Sequence, residues 1–178
     1  MSNRPIKYLA IHYTAGGSSK AGTARGIKKV FESRQASADF AVDDVEMVQF
    51  NPDLKNYYCW AVGDKKAPNV KCLDGSNRNT ISIEICSTLK KGTSAAVPNH
   101  EGWYFTEEAL NNAVKLAKIL MKKFNIPIEN VVRHYDISGK LCPGIIGWND
   151  GRLYNKEGKP TSNKNNSSKW LAFKERLK

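Results

Sequence analysis

Residues 80–86 constrain the fold of this chain most, because they read as one strand with two chemically different faces. The three isoleucines of the run alternate with Ser82, Glu84 and Cys86. Successive side chains of a strand point to opposite sides of a sheet. The isoleucine face must therefore pack against another layer, and Glu84 is expected to point into a groove on the opposite side.

Hydrophobic periodicity and capping residues predict further elements before and after this strand. Thr106 is expected to cap a long helix whose first turn contains two glutamates, and Pro127 is expected to stop it. Toward the N-terminus, the predictions are a strand over residues 6–11, a helix that Thr23 caps and that runs to about residue 34, and a hairpin with strands over 40–42 and 47–50. Irregular chain is expected over 51–79, a strand over 131–133, and a last helix that carries Trp170, Phe173 and Leu177. His134 is predicted to begin a loop.

The predicted order of elements is strand, helix, hairpin, strand, helix, strand and helix. That order indicates a central mixed β-sheet flanked by helices, in the α/β or α+β class. The chain has 178 residues and no internal repeat. We therefore expect a single domain over residues 1–178.

Net charge and the N-terminal sequence limit the expected partners and location. The charge of +11 comes from 28 basic and 17 acidic residues and favours a polyanionic partner, unless it is only a solvated basic surface. Without an arginine-rich arm or an RNA-binding aromatic signature, an anionic cell wall is favoured over nucleic acid. The chain has no apolar run that could insert into a membrane and no secretory signal, so we expect synthesis in a cytoplasm.

The cysteines and one group of aromatic residues allow more than one interpretation. The four cysteines form no CxxC pair, which argues against a zinc finger, and a cytoplasmic chain keeps them reduced. Cys86 is expected in the core. Tyr57, Tyr58 and Trp60 either line a groove that binds sugar or belong to the core.

The positions of the histidines point to a metal site. His12 closes the first predicted strand, His134 closes a late one, and Cys142 follows eight residues after His134. Two imidazoles and one thiolate leave the fourth tetrahedral position open, as in catalytic zinc sites. The alternative for each histidine is an ordinary polar residue at a strand end. His100 lies in a polar loop and is not expected to bind metal.

The motif HYDISGKLCP at residues 134–143 resembles the zinc-binding signature of the type 2 N-acetylmuramoyl-L-alanine amidases. AIHYT at 10–14 resembles the first ligand motif of that family, and NTISIEIC at 79–86 resembles its central strand. ASADFAVDD at 36–44 is similar to the hairpin of its phage members. The motifs occur in family order, and the resemblance covers residues 6–177.

The resemblance implies one zinc ion (Zn2+) in a shallow groove, with His12, His134 and Cys142 as its ligands. It also implies that Lys140 helps to polarise the substrate carbonyl and that Glu84 is the general base. Some members use a hairpin tyrosine instead, but residues 37–40 contain none. Asp39 stands where many phage relatives have histidine. Both departures favour Glu84 as the residue that activates water.

A family member of this kind would hydrolyse the amide bond between N-acetylmuramic acid and L-alanine in bacterial peptidoglycan. We expect a phage or prophage endolysin, made in the host cytoplasm and released to the wall through a membrane lesion; an exported autolysin is the alternative if the chain is trimmed. A separate wall-binding module is expected to be absent from this chain or to have been removed. One alternative is a peptidoglycan-binding module without catalysis, although Cys142 and Lys140 argue against it. A second alternative is a basic domain that binds nucleic acid.

Overall fold

The computed structural model describes residues 3–14, 23–34, 36–63, 65–93, 98–155, 157–161 and 166–178. Its strands are β1 (Tyr8–Tyr13), β2 (Phe40–Val42), β3 (Met47–Gln49), β4 (Thr80–Ile85), β5 (Thr88–Leu89), β6 (Trp103–Tyr104) and β7 (Val131–Arg133). Its helices are α1 (Ile27–Arg34), α2 (Glu107–Phe124), α3 (His134–Ser138) and α4 (Ser168–Glu175), with short 3-10 helices at Asn77–Asn79 and Ile128–Asn130.

Five strands form one mixed sheet in the order β3-β2-β4-β1-β7, which confirms the predicted fold class. Strands β2, β4, β1 and β7 are parallel, and β3 runs antiparallel at one edge. Glu84 is paired with His12 on one side and with Ala41 on the other. Paired residues of adjacent strands share a face, so these three side chains form a row near the carboxyl ends of the strands.

One face of the sheet is covered by α2. Leu9, Ile11 and the three isoleucines of β4 are fully buried there, in one core cluster with the apolar stripe of the helix. Thr106 caps α2 by accepting a hydrogen bond from the backbone N–H of Ala109, as predicted. The last helix, α4, buries Trp170 and Phe173 in the same cluster.

The opposite face is covered by shorter pieces of chain. Helix α1 places Ile27 against Ala41 and Cys86 in one small cluster. On the β7 side, Val62 and Ile137 belong to a second small cluster, which also contains Ala10 of β1. The row that contains His12 and Glu84 lies between these two clusters, so this face holds a groove instead of a continuous core.

Two local predictions were wrong. The chain forms helix α3 from His134 onward, where a loop was expected, because Asp136 accepts a hydrogen bond from the backbone N–H of Arg133 at 2.9 Å and stabilises the first turn. Helix α1 begins at Ile27, after turns, and not directly after Thr23. Helix α2 ends before Pro127, as predicted, and Asn125 caps it in a left-handed conformation. Within the described part of the chain, no helix combines the length and apolarity needed to cross a membrane.

Candidate active site

Three predicted ligands converge at the carboxyl edge of the sheet. His12 lies in β1, His134 is the first residue after β7, and Cys142 follows the turn after α3. One donor atom from each residue lies within 4.8 Å of the other two, and all three side chains are buried. The fold therefore brings together residues that are 130 positions apart in the chain.

The environment of the two imidazoles fits a metal ion. Nε2 of His134 lies 3.1 Å from the carbonyl oxygen of Val62 and donates its proton there, which leaves Nδ1 for the cluster. Nδ1 of His12 lies 3.8 Å from Sγ of Cys142. Among the described residues, Nε2 of His12 and Oε2 of Glu84 are buried polar atoms without a hydrogen-bond partner. Such atoms usually mark a site that takes an ion or water.

Burial sets the protonation of the three donors. It lowers the pKa of His12 well below its usual value and the pKa of His134 to about 4, with the Lys140 charge acting in the same direction. Both imidazoles are therefore neutral at pH 7, the form that binds metal. Burial, followed by the charge of Glu84, raises the pKa of the Cys142 thiol. The thiolate that zinc binds is therefore favoured only when a cation is present.

Glu84 lies beside the cluster, on the face that its alternation predicts. Its Oε1 is 3.9 Å from Nδ1 of His12, and 16% of its side chain is exposed. Because the imidazole is neutral, this contact is not an ion pair. Burial raises the pKa of Glu84 to about 8, and the positive charge of Lys140 opposes that rise.

Lys140 follows the left-handed turn at Gly139 that ends α3. Its side chain is exposed, yet its charge lowers the pKa of His12, His134 and Glu84. Those effects indicate that the positive charge of Lys140 acts on the groups of the groove.

Asp39 and His100 lie outside the cluster and have structural roles. Asp39 is fully buried and accepts hydrogen bonds from the backbone N–H of Ser82 at 2.8 Å and from Nδ2 of Asn51 at 2.6 Å. Nδ1 of His100 accepts a hydrogen bond from the backbone N–H of Gly102 at 2.8 Å. All four cysteines are free.

Two residues that support the site were missed by the sequence analysis. The Val62 carbonyl orients His134, but a backbone oxygen leaves no signature in a sequence. Tyr13, next to His12, donates a hydrogen bond to Oδ1 of Asn99 at 2.5 Å and accepts one from the Asn99 N–H at 2.8 Å. In the sequence, the only indication of this contact between Tyr13 and Asn99 was the position of a tyrosine next to a predicted metal ligand.

A mixed sheet with two imidazoles, a thiol and a carboxylate at its carboxyl edge is the arrangement expected of a zinc hydrolase. A family model described as N-acetylmuramoyl-L-alanine amidase matches residues 2–145. The chain belongs to that family.

Individual relatives agree with this assignment. N-acetylmuramoyl-L-alanine amidase CwlA of Bacillus subtilis (strain 168) is 32% identical over 93% of this chain and 56% of its own length. The chain thus spans little more than half of that curated relative. The solved catalytic domain of XlyA superposes with a TM-score of 0.61 at 27% identity, covering 99% of this chain and 92% of that one. A mutant endolysin from Bacillus subtilis superposes with a TM-score of 0.62 at 27% identity, covering 99% and 88%.

Proposed function

We propose that this chain is a zinc-dependent N-acetylmuramoyl-L-alanine amidase, which hydrolyses the amide bond between N-acetylmuramic acid and L-alanine in bacterial peptidoglycan. The observation that carries the proposal is the convergence of His12, His134 and Cys142 within 4.8 Å of one another, beside Glu84. Membership of the amidase family supports the substrate, and the donor set supports zinc.

The groups of the groove match the needs of amide hydrolysis. Zinc held by His12, His134 and Cys142 would supply a water molecule of lowered pKa and a Lewis acid for the carbonyl. The charge of the zinc would lower the pKa of Glu84 below its metal-free value of about 8 and keep it ionised. That carboxylate would take a proton from the attacking water and return it to the leaving nitrogen. The ammonium group of Lys140 stabilises the negative charge on the carbonyl oxygen. The water oxygen bonds to the carbonyl carbon, the C–N bond breaks, and the products are a lactyl carboxylate and a free L-alanine amine.

The proposed biological setting is lysis by a phage or prophage endolysin. The match to a solved endolysin over nearly the whole chain supports this role. The enzyme would be made in the host cytoplasm and act on the wall after release through a membrane lesion. Its charge of +11 would hold it near anionic wall polymers, and no nucleic-acid partner is expected.

A peptidoglycan-binding module without catalysis is the second candidate. It shares the fold and the groove, but it does not need a thiolate ligand. The position of Cys142 among the donor atoms favours the enzyme.

Zinc content and hydrolysis, measured on one preparation, test the proposal. We expect one zinc per chain after metal removal and reloading, and release of L-alanine amino termini from N-acetylmuramoyl-L-alanyl-D-isoglutamine. Cys142→Ser should lose both, because a neutral hydroxyl is a poor zinc ligand. Cys86→Ser is the matched control, since both thiols are 5% exposed and Cys86 lies outside the cluster.

Each outcome decides between the candidates. Hydrolysis by metal-free protein would refute the role of zinc. A zinc-loaded protein that binds the muropeptide without cleaving it would support the binding module. Equal zinc loss in Cys142→Ser and Cys86→Ser would show that the assigned ligand is wrong.

A further inference from the structure

Three aromatic side chains are exposed within four residues of one loop. Tyr57 is 65% exposed, Tyr58 is 45% exposed and Trp60 is 67% exposed, and we call these three residues the aromatic strip. Every other aromatic residue in the described part of the chain is buried or half-buried. The structure therefore excludes a core role for the strip. Clustered apolar exposure of this kind usually marks a binding surface.

The backbone that carries the strip is fixed by hydrogen bonds. The Tyr57 carbonyl accepts hydrogen bonds from the Arg4 guanidinium at 2.5 Å and from Nδ2 of Asn51 at 3.0 Å. The Trp60 N–H donates to Oγ of Ser37 at 2.9 Å, and the Trp60 carbonyl accepts from the Ser37 N–H at 3.3 Å. The backbone that carries the three rings is therefore ordered before a ligand binds, which reduces the entropy lost on binding.

The strip begins next to the candidate active site. Val62, whose carbonyl contacts His134, is only two residues after Trp60. Two residues of extended chain span at most about 7 Å between Cα atoms. Asn77 fixes the intervening segment, because its Oδ1 accepts hydrogen bonds from the N–H groups of Ala61 and Val62 at 3.0 and 2.9 Å. A ligand that occupies the groove and extends beyond it on this side meets Trp60 first.

We propose that the aromatic strip binds the glycan strand of peptidoglycan, at sugars beyond the one whose amide is cleaved. This inference rests on the proposed function and adds a second contact region to it. The substrate is a polymer, so sugars continue past the reacting residue on both sides. A sugar ring has an apolar C–H face and hydroxyl groups at its edge. That pattern complements an aromatic face with a polar hydroxyl or N–H at its rim, as in Tyr57 and Trp60.

Binding can be measured without any hydrolysis. Of the four tryptophans, Trp103, Trp148 and Trp170 are at most 5% exposed, so a change in the solvent exposure of tryptophan reports on Trp60. Titration with a peptide-free N-acetylglucosamine oligomer should shift the tryptophan emission to shorter wavelength. Trp60→Phe should keep binding by calorimetry but lose the spectral shift, and Trp60→Ala should lose both.

Hydrolysis of two substrates then tests the link to the active site. The first substrate has one N-acetylmuramic acid with its peptide, and the second is a glycan oligomer that carries the same peptide. In Trp60→Ala, the ratio of kcat/KM for the oligomer to that for the single sugar should fall about 10-fold, the value of one stacking contact of about 1.4 kcal/mol. Trp60→Phe should restore most of the ratio, because it keeps an aromatic face.

Ile119→Ala is the control, since Ile119 is 58% exposed on α2, across the sheet from the groove. An unchanged ratio and unchanged oligomer binding in Trp60→Ala would overturn the proposal. Sedimentation would show whether the strip instead joins two copies of the chain. If wild type is a dimer, Trp60→Ala is a monomer and the ratio of kcat/KM values is unchanged, the proposal is also overturned. If neither substrate is cleaved but the oligomer still binds through Trp60, the proposed function fails and the sugar-binding strip remains.

Discussion

The two faces of β1 and β4 differ in what covers them, although the same two strands supply both. On one face, Ile83 packs under an 18-residue helix, and the burial is complete. On the other face, Glu84 lies between helices of eight and five residues, and its side chain reaches solvent. Adjacent residues of one strand thus serve different purposes. The α2 face stabilises the sheet, and the groove face keeps polar groups that a continuous core would exclude.

Truncation on the α2 face should have the largest effect on stability. Ile83→Ala removes buried methyl groups and leaves a cavity, so we expect the free energy of unfolding to fall by about 2–5 kcal/mol in chemical denaturation. Ser82→Ala, one residue away on the groove face, should cost less than about 1 kcal/mol, because the contact of Ser82 with Asp39 uses the backbone N–H. A similar loss of unfolding free energy in both variants would show that both faces of the sheet contribute equally to stability.

Substitution on the groove face should instead change the rate. Glu84→Gln keeps the size of the side chain and removes the proposed base, so we expect hydrolysis to slow about 100-fold, the usual share of general-base catalysis. Zinc content and melting temperature of the zinc-loaded protein should stay close to the wild-type values. A folded, zinc-loaded Gln variant with near-normal turnover would show that Glu84 is not the general base. The groove face of the sheet would then have no demonstrated catalytic residue.

A smaller effect should appear in the pH dependence of the metal-free protein. Burial raises the pKa of Glu84 from 4.5 to about 8 in the folded state. The folded state therefore binds this proton more tightly than the unfolded state, and the resulting stabilisation is complete below about pH 4.5 and lost as pH rises through about 8. Denaturation at several pH values should show that loss in wild type.

Glu84→Gln should lack that part of the pH dependence, whereas Ile83→Val should retain it. We expect a smaller free-energy change than for Ile83→Ala, because part of the Glu84 side chain reaches solvent and Lys140 opposes the shift. If the stability of the Gln variant changes with pH as steeply as that of wild type, another group causes the pH dependence.

Periodicity predicted the elements that are long or strictly alternating. The alternation over residues 80–85 and the Thr106 cap both appear in the structure as expected. Helix α3 was missed because five residues give too short a window for helical periodicity. Contacts within and around the helix stabilise it: Asp136 accepts hydrogen bonds from the backbone and the guanidinium of Arg133, and Ile137 is fully buried.

Part of the site was likewise accessible from sequence. The clustering of His12, His134 and Cys142 follows from strand ends that meet at one edge, together with a recognisable motif. The orientation of His134 was not predictable, because it depends on the Val62 carbonyl, 72 positions away. The exposure of Trp60 also could not be read from its residue type, since aromatic residues of an irregular loop fit a core equally well.

The buried Arg4 side chain ties the aromatic strip to the cooperative folding of the domain. Its guanidinium donates hydrogen bonds to the carbonyls of Tyr57, Leu54, Arg78 and Thr80, which are 50 to 76 positions away. Contacts over such separations require closure of long loops, which is slow and entropically costly. The order of the strip at Tyr57 therefore depends in part on the arrival of an N-terminal residue at the sheet. Local opening of that segment would remove the Arg4 contact from Tyr57 and loosen this end of the strip, while Ser37 continues to hold Trp60.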